Sequence, residues 1–225
     1  MRFAVFISGN GSNLQAIIDA VKAGEIKAEL ALVVSSNDKA YGLKRAEAAG
    51  IKAVVFDPKS YTNKQSVDRD IIIKLKEEAI DFIVLAGYLR LLTPYFLKHY
   101  PNKVLNIHPS LLPSFKGMEG IKDAFTYGVK VTGVTVHFVN EKMDNGPILM
   151  QDSLKIYEDD TLESLEAKIH KLEHRIYPKA IAVFVEGRYK IKLRKVHLLP
   201  APPVAGQEKP PLPALEKLPV DKPQG

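Results

Sequence analysis

The sequence predicts an α/β protein: a mostly parallel, twisted sheet with helices on both faces, extended on its C-terminal side by antiparallel strands. Two observations predict it. Through the first hundred residues, short apolar and β-branched runs alternate with runs of helical period, the signature of strand–helix–strand units in a parallel sheet. From Val129 onward the pattern changes to two alternating β-branched runs joined by a polar connection, which suits an antiparallel pair added to that sheet.

The elements follow in order. Residues 2–7 form an apolar run ending in Ser-Gly-Asn-Gly and read as a first core strand, too short for the apolar segment of a secretory signal. Residues 12–22 form a helix because Leu14, Ile17, Ile18 and Val21 recur at helical spacing. Residues 30–35 give a second strand, 42–49 a helix and 53–56 a short third strand. Residues 63–79 form a long amphipathic helix, with Val67, Ile71, Leu75 and Ala79 four apart. Residues 82–86 and 103–107 are two more buried strands, with a short helix over 94–99 between them. Residues 131–139 and 148–156 are the antiparallel pair. Residues 161–185 are helical, with Pro178 expected to kink or split the helix. Residues 189–196 give a last hairpin or edge strand. The tail, 198–225, holds 8 of the chain's 15 prolines and few large apolar groups, so it is expected to be extended or disordered.

Composition narrows the function. At 46% hydrophobic and 26% charged, 225 residues can bury a full core. The net charge of +6 suits an anionic ligand, yet Lys and Arg are interspersed with Asp and Glu and form no basic block, so a small phosphorylated ligand is favoured over nucleic acid. With no cysteine there is no disulfide, thiolate nucleophile or Cys-based zinc site. No run approaches the ~20 apolar residues of a membrane span, and a soluble, cytoplasmic protein is expected.

Chemistry concentrates in three places. Ser8-Gly9-Asn10-Gly11-Ser12-Asn13 follows the first strand and opens a helix, so backbone N–H groups meet the positive end of a helix dipole. It matches neither the dinucleotide fingerprint nor the P-loop. It is either a phosphate cradle or a tight turn with no ligand, and its place after the first strand of an α/β sheet favours the cradle. Asn106 and His108 lie two apart on an extended segment and share one face. Pro109 biases His108 toward the extended form. Together they suit the stabilisation of an oxyanion, the amide as a neutral donor and the imidazole as a charged donor and proton carrier. Asp144 lies in the connection Met143-Asp144-Asn145-Gly146-Pro147. It either bonds its own turn or meets His108, favouring the charged ring and raising its pKa; spacing leaves both open. His137 reads as a core or sheet-face histidine, and no partner at ligand spacing makes it a metal ligand. His170 and Glu173 share a helix face one turn apart, either as a solvated surface or as a clamp on ribose hydroxyls.

Taken together, these segments resemble the phosphoribosylglycinamide formyltransferases, also called GAR transformylases, of the folate-dependent formyltransferase family. The likeness covers about residues 1–190: Ser8-Gly9-Asn10-Gly11-Ser12-Asn13, Leu85-Ala86-Gly87-Tyr88-Leu89-Arg90-Leu91-Leu92, Asn106-Ile107-His108-Pro109-Ser110-Leu111-Leu112-Pro113, Gly133-Val134-Thr135-Val136-His137-Phe138, Asp144-Asn145-Gly146-Pro147 and Glu173-His174-Arg175-Ile176-Tyr177-Pro178. The catalytic signature is shared by several 10-formyltetrahydrofolate enzymes, and the Ser-Gly-Asn-Gly-Ser-Asn loop makes the resemblance specific. It implies a Rossmann-like formyltransferase fold and formyl transfer from 10-formyltetrahydrofolate, as cosubstrate and without a metal, to the amine of phosphoribosylglycinamide, in purine biosynthesis. Asn106, His108 and Asp144 would be catalytic, Asp144 keeping the imidazole protonated. Gly11, Ser12, Asn13, His170 and Glu173 would bind phosphate and ribose. Lys64, Leu89, Arg90, Leu91, Leu92, Asn106, Val139, Asn140, Glu141 and Asp144 would bind the folate. One domain, 1–197, is expected, with a phosphate-binding half at 1–100 and a catalytic and folate half at 101–197. The partners are small molecules, with no nucleic acid and no membrane, and the protein is a monomer or weak homodimer. Lys64 stands where the family often has Arg, which keeps the charge and loses bidentate geometry. The segment 114–120 lacks a common Pro, and His170 replaces a common Gln. The rivals are formyltetrahydrofolate deformylase, methionyl-tRNA formyltransferase and a folate- or phosphate-binding module without catalysis. Length and the phosphate loop weigh against the first two, and the intact polar triad against the third.

Overall fold

Along β1 (Arg2–Ile7) successive side chains alternate between two cores, as the period of a strand requires. Phe3, Val5 and Ile7 enter one, Ala4 and Phe6 the other, and all five are fully buried. The computed structural model describes residues 1–200. Besides β1, the main sheet contains β2 (Glu29–Ser35), β3 (Ala53–Val55), β4 (Phe82–Leu85), β5 (Val104–His108), β6 (Val131–Phe138) and β7 (Ile148–Lys155), in the order β3-β2-β1-β4-β5-β6-β7. The first five run parallel, while β6 is antiparallel to both β5 and β7.

Helices cover both faces. The core beside Phe3 is closed by α1 (Ser12–Lys22), α2 (Gly42–Ala48), α5 (Gly120–Tyr127) and the long α6 (Leu162–Val185). The core beside Phe6 is closed by α3 (Lys64–Glu77) and α4 (Pro94–His99). Tyr177 ties α6 to the sheet centre: its buried hydroxyl donates to the carbonyl of Leu85 at 2.8 Å and lies 3.2 Å from that of Leu105. Burial keeps the Tyr177 pKa well above the ordinary phenol value, so the hydroxyl stays a donor.

The structure departs from the expected elements where local chemistry overrides the apolar period. The long helix stops at Glu77, because Ala79 takes a left-handed conformation (φ 51°) and the N–H of Ile80 returns to the carbonyl of Leu75 at 2.9 Å. Pro178 does not split α6, which runs unbroken with Pro178 buried among core residues. A helix that the apolar period did not predict, α5, buries only Gly120 and Ala124 and ends at left-handed Gly128. The expected last element is a hairpin of β8 (Tyr189–Lys192) and β9 (Lys195–Leu198), held by Tyr189 packing on Phe138 and Phe184. Leu198 pairs with Tyr189, so the hairpin takes in the first residue expected to belong to the tail. The proline-rich remainder, 201–225, lies outside the described residues. Among the described residues, no helix is long and apolar enough to cross a membrane.

From β1 the chain winds outward through β2 and β3, then returns to the other side of β1 with β4. The crevice outside the strands' carboxyl ends at such a reversal is where α/β sheets bind ligands. The loops that leave β1, β4 and β5 all open there.

Candidate active site

The loop after β1 turns through Gly11 at φ 74°, a conformation that costs glycine little. A Cβ at this position would also lie 2.8 Å from the Cα of Gly42, so α2 backs the turn at close range. No side chain caps α1. The N–H groups of its first turn, from Ser12 and Asn13, have no intrahelical acceptor and point out of the positive end of the helix dipole. On the far side of the cradle, Asn13 Nδ2 donates to Glu173 Oε2 at 3.0 Å, and His170 Nδ1 lies 3.0 Å from the same oxygen. The bond to Glu173 raises the His170 pKa, against burial. Asn13 Oδ1 is buried without a partner. The structure thus gathers Gly11, Ser12, Asn13, His170 and Glu173 from opposite ends of the chain, and β1 sets the loop while α6 sets the carboxylate.

At the end of β5, Asn106 and His108 share the face toward the connection between β6 and β7. That connection is pinned by Gly146, where a Cβ would fall 1.6 Å from the carbonyl oxygen of Phe138. The close approach brings Asp144, at φ 47°, over the strand ends. Its Oδ2 lies 3.5 Å from His108 Nδ1 and accepts from the N–H of Gly117 at 2.9 Å. Its Oδ1 lies 3.7 Å from His137 Nε2. Asp144 therefore faces His108 rather than bonding within its own turn.

His137, read from the sequence as a core or sheet-face residue, belongs to this cluster. It stands opposite Asn106 in the β5–β6 pairing, and its Nε2 lies 3.2 Å from Asn106 Nδ2. Its Nδ1 lies 2.9 Å from the carbonyl oxygen of Phe138, which takes an Nδ1 proton and leaves Nε2 to accept from the amide. The available signal was its odd position in an alternating strand, which points it to the same face as the connection.

His108 Nε2 donates to the Phe115 carbonyl at 2.7 Å. Burial is the strongest influence on the ring and pushes its pKa down; Asp144 and the Phe115 carbonyl push it up without prevailing. Asp144 thus acts on the ring in the expected direction, but burial outweighs it and the pKa stays below the ordinary imidazole value. Asp144 itself is pushed up by burial, but the neighbouring His137 and His108 rings and the N–H bond from Gly117 outweigh this, and its pKa lies below the ordinary carboxylate value.

The loop after β4 presents Leu89 and Leu91 at 70% and 55% exposure, an apolar rim at the strand ends. Leu92 and Val139 are half-buried against the core beneath, Glu141 is exposed, and Asn140 bonds within its own loop to the carbonyl of Asn145. Lys64 opens α3 with its side chain exposed. The Arg90 side chain turns inward and pairs with Asp68, a fully buried carboxylate of α3 that carries no sequence signal beyond its place in an amphipathic helix. Asp68 also accepts the N–H of Thr93 at 2.9 Å, while Arg90 Nη2 donates to the Lys64 carbonyl at 2.9 Å. Ser8 Oγ accepts the N–H of Leu89 at 2.9 Å, joining this loop to the glycine turn after β1. Among the described residues, no group of three His, Asp or Glu side chains is placed to hold a metal ion.

Residues 1–181 match the formyl transferase family. The chain belongs to the formyl transferase family. Among its formyl transferase relatives, the phosphoribosylglycinamide formyltransferase of Bacillus subtilis (strain 168) is 48% identical over 180 residues, 80% of this chain and 92% of that protein. The Escherichia coli (strain K12) protein of the same name is 40% identical over 191 residues, 85% of this chain and 90% of its own length. The crystal structure of glycinamide ribonucleotide transformylase 1 from Symbiobacterium toebii superposes with a TM-score of 0.87 at 46% identity, covering 89% of this chain and 94% of that one. The α/β sheet with its antiparallel extension is thus the formyl transferase fold of these relatives.

Proposed function

We propose that this formyl transferase moves the formyl group of 10-formyltetrahydrofolate to the amine of phosphoribosylglycinamide, giving the formylated ribotide and tetrahydrofolate. One observation carries the reading: Asn106, His108 and Asp144 converge beside a phosphate cradle on one side and an apolar-rimmed loop on the other. A phosphorylated acceptor fits the cradle, with Glu173 and His170 placed for its ribose hydroxyls. A flat, partly apolar donor fits between the loop of residues 89–92 and that of residues 139–144. The folate supplies an activated formyl carbon on a nitrogen leaving group.

Asn106 donates to the oxyanion formed when the amine attacks, and His137 fixes which way its amide points. His108 begins mostly neutral at neutral pH because burial lowers its pKa. Negative charge developing beside the ring adds to that of Asp144 and draws the pKa up. His108 thereby takes up the proton shed by the amine and delivers it to the departing folate nitrogen. Asp144 stays ionised throughout.

The purified protein should consume 10-formyltetrahydrofolate only when phosphoribosylglycinamide is present. Formate release at an equal rate without the acceptor would establish a hydrolase instead. Binding of both ligands without turnover would establish a non-catalytic module.

A further inference from the structure

The phosphate cradle has a support on a different helix that the mechanism does not use. Arg45, on α2, reaches across to the loop after β1 with three of its nitrogens. Nε donates to the carbonyl of Asn10 at 3.0 Å, Nη2 donates to Asn10 Oδ1 at 3.0 Å, and Nη1 donates to Gln15 Oε1 at 3.3 Å. The guanidinium lies 5.0 Å from the centre of the Tyr41 ring, which restrains it from the other side. Beneath it, the N–H of Gly42 donates to the carbonyl of Gly9 at 3.1 Å, so the loop backbone is held at both residues 9 and 10.

The Asn10 carbonyl and the Gly11 N–H belong to one planar trans peptide and point in opposite directions. A guanidinium that holds the carbonyl toward α2 therefore turns the Gly11 N–H away from α2. The same hold fixes the residue entering α1, and with it the direction of the Ser12 and Asn13 N–H groups. Arg45 also places a permanent positive charge behind the turn, where it adds to the field of the helix dipole. We propose that Arg45 is a positioning residue for the substrate phosphate: it aims the cradle's N–H groups by gripping Asn10 and selects a phosphorylated acceptor over its dephosphorylated counterpart. This rests on the reading of residues 11–13 as the phosphate site.

Geometry and charge are separable. Arg45→Lys keeps the charge and loses the planar three-way grip, Arg45→Ala loses both, and Lys44→Ala removes a neighbouring positive charge that makes no contact with the loop. Ribose 5-phosphate and ribose are the probes, titrated by calorimetry, with steady-state kinetics alongside. Arg45→Ala should weaken ribose 5-phosphate binding and raise KM for the ribotide by about tenfold to a hundredfold, the loss expected of a charge-assisted hydrogen bond. KM for the formyl donor should hold, and the preference for ribose 5-phosphate over ribose should shrink by the same factor. Arg45→Lys should recover only a minor part of this, and Lys44→Ala should behave as the parent protein.

Equal loss for ribose and ribose 5-phosphate would reduce Arg45 to a general structural contact and overturn the proposal. Full recovery in Arg45→Lys would overturn the grip and leave charge alone. If Arg45→Ala does not fold, the Arg45→Lys comparison with both probes decides. Should the parent protein fail to prefer ribose 5-phosphate over ribose, the phosphate site itself falls, and the role of Arg45 with it. A parent that prefers the phosphate and an Arg45→Ala variant that prefers it equally would sink the role of Arg45 alone.

Discussion

Replacing Asp144 with Asn removes one charge while keeping the side chain's shape and an oxygen for the Gly117 N–H, so it isolates the electrostatic coupling to His108. At the 3.5 Å separation, a unit charge in an environment of effective dielectric ~20 acts on a protonated ring with about 5 kcal/mol. That would be three to four pKa units at ~1.36 kcal/mol each. The Gly117 N–H already offsets part of the carboxylate charge, so the expected drop in the His108 pKa is about one to two units. Because burial has lowered this pKa below its ordinary value, the drop carries it further from neutrality and leaves the charged ring about ten to a hundred times scarcer at pH 7. Turnover should fall at least that far, within the ~10²–10⁴ range of a lost acid–base catalyst. Titration of the His108 ring by NMR and the pH profile of kcat measure the two effects separately. A His108 titration that stays in place, or a variant with the parent's turnover at neutral pH, would refute the coupling.

Asp68→Asn leaves the Arg90 guanidinium without its buried counter-charge. Stability should fall by about 3–5 kcal/mol as in other broken buried pairs, read by urea titration, with KM for the formyl donor rising because the loop of residues 89–93 loses its anchor. Gly146→Ala puts a methyl group where the Phe138 carbonyl sits, so the connection must move and Asp144 with it. The melting temperature should drop and the remaining folded enzyme should be slow, whereas a fully active variant would show that the connection tolerates the shift. Stability should also fall on acidification. The folded His108 pKa lies below its unfolded value of ~6.5, so its contribution is complete above that pH and is lost as pH falls through the folded value. His174 acts in the same sense and His170 in the opposite one. Below about pH 4, loss of the Asp144 charge adds a further decline. Scanning fluorimetry should give a melting temperature that drops from pH 7 to pH 5, with part of the drop absent in His108→Asn; a pH dependence identical in parent and His108→Asn would refute the contribution of His108.

Local patterns made much of this readable in advance. The strand period of Phe3 to Ile7, the helical period of Leu14 to Val21 and the loop of residues 8–13 depend only on neighbours within a few positions, and each lies where the periodicity puts it. Elements stopped being readable where something other than the apolar period decided the backbone. Ala79 continues the helical period and nevertheless closes the helix, and Pro178 stays inside α6 because the buried residues around it hold the helix on the sheet.

By itself the chain determined its α/β alternation, the shared face of Asn106 and His108, and the glycine turn ahead of α1, since these follow from backbone stereochemistry and side-chain period. Tertiary structure alone decided that Asp144 reaches His108, that His137 orients Asn106, and that Arg45 grips Asn10. Each of those pairs joins segments about thirty residues apart, and only sheet pairing and helix packing bring them within bonding distance. It also decided the resting charge of His108, because the balance between burial and a nearby carboxylate exists only once the site has closed around the ring.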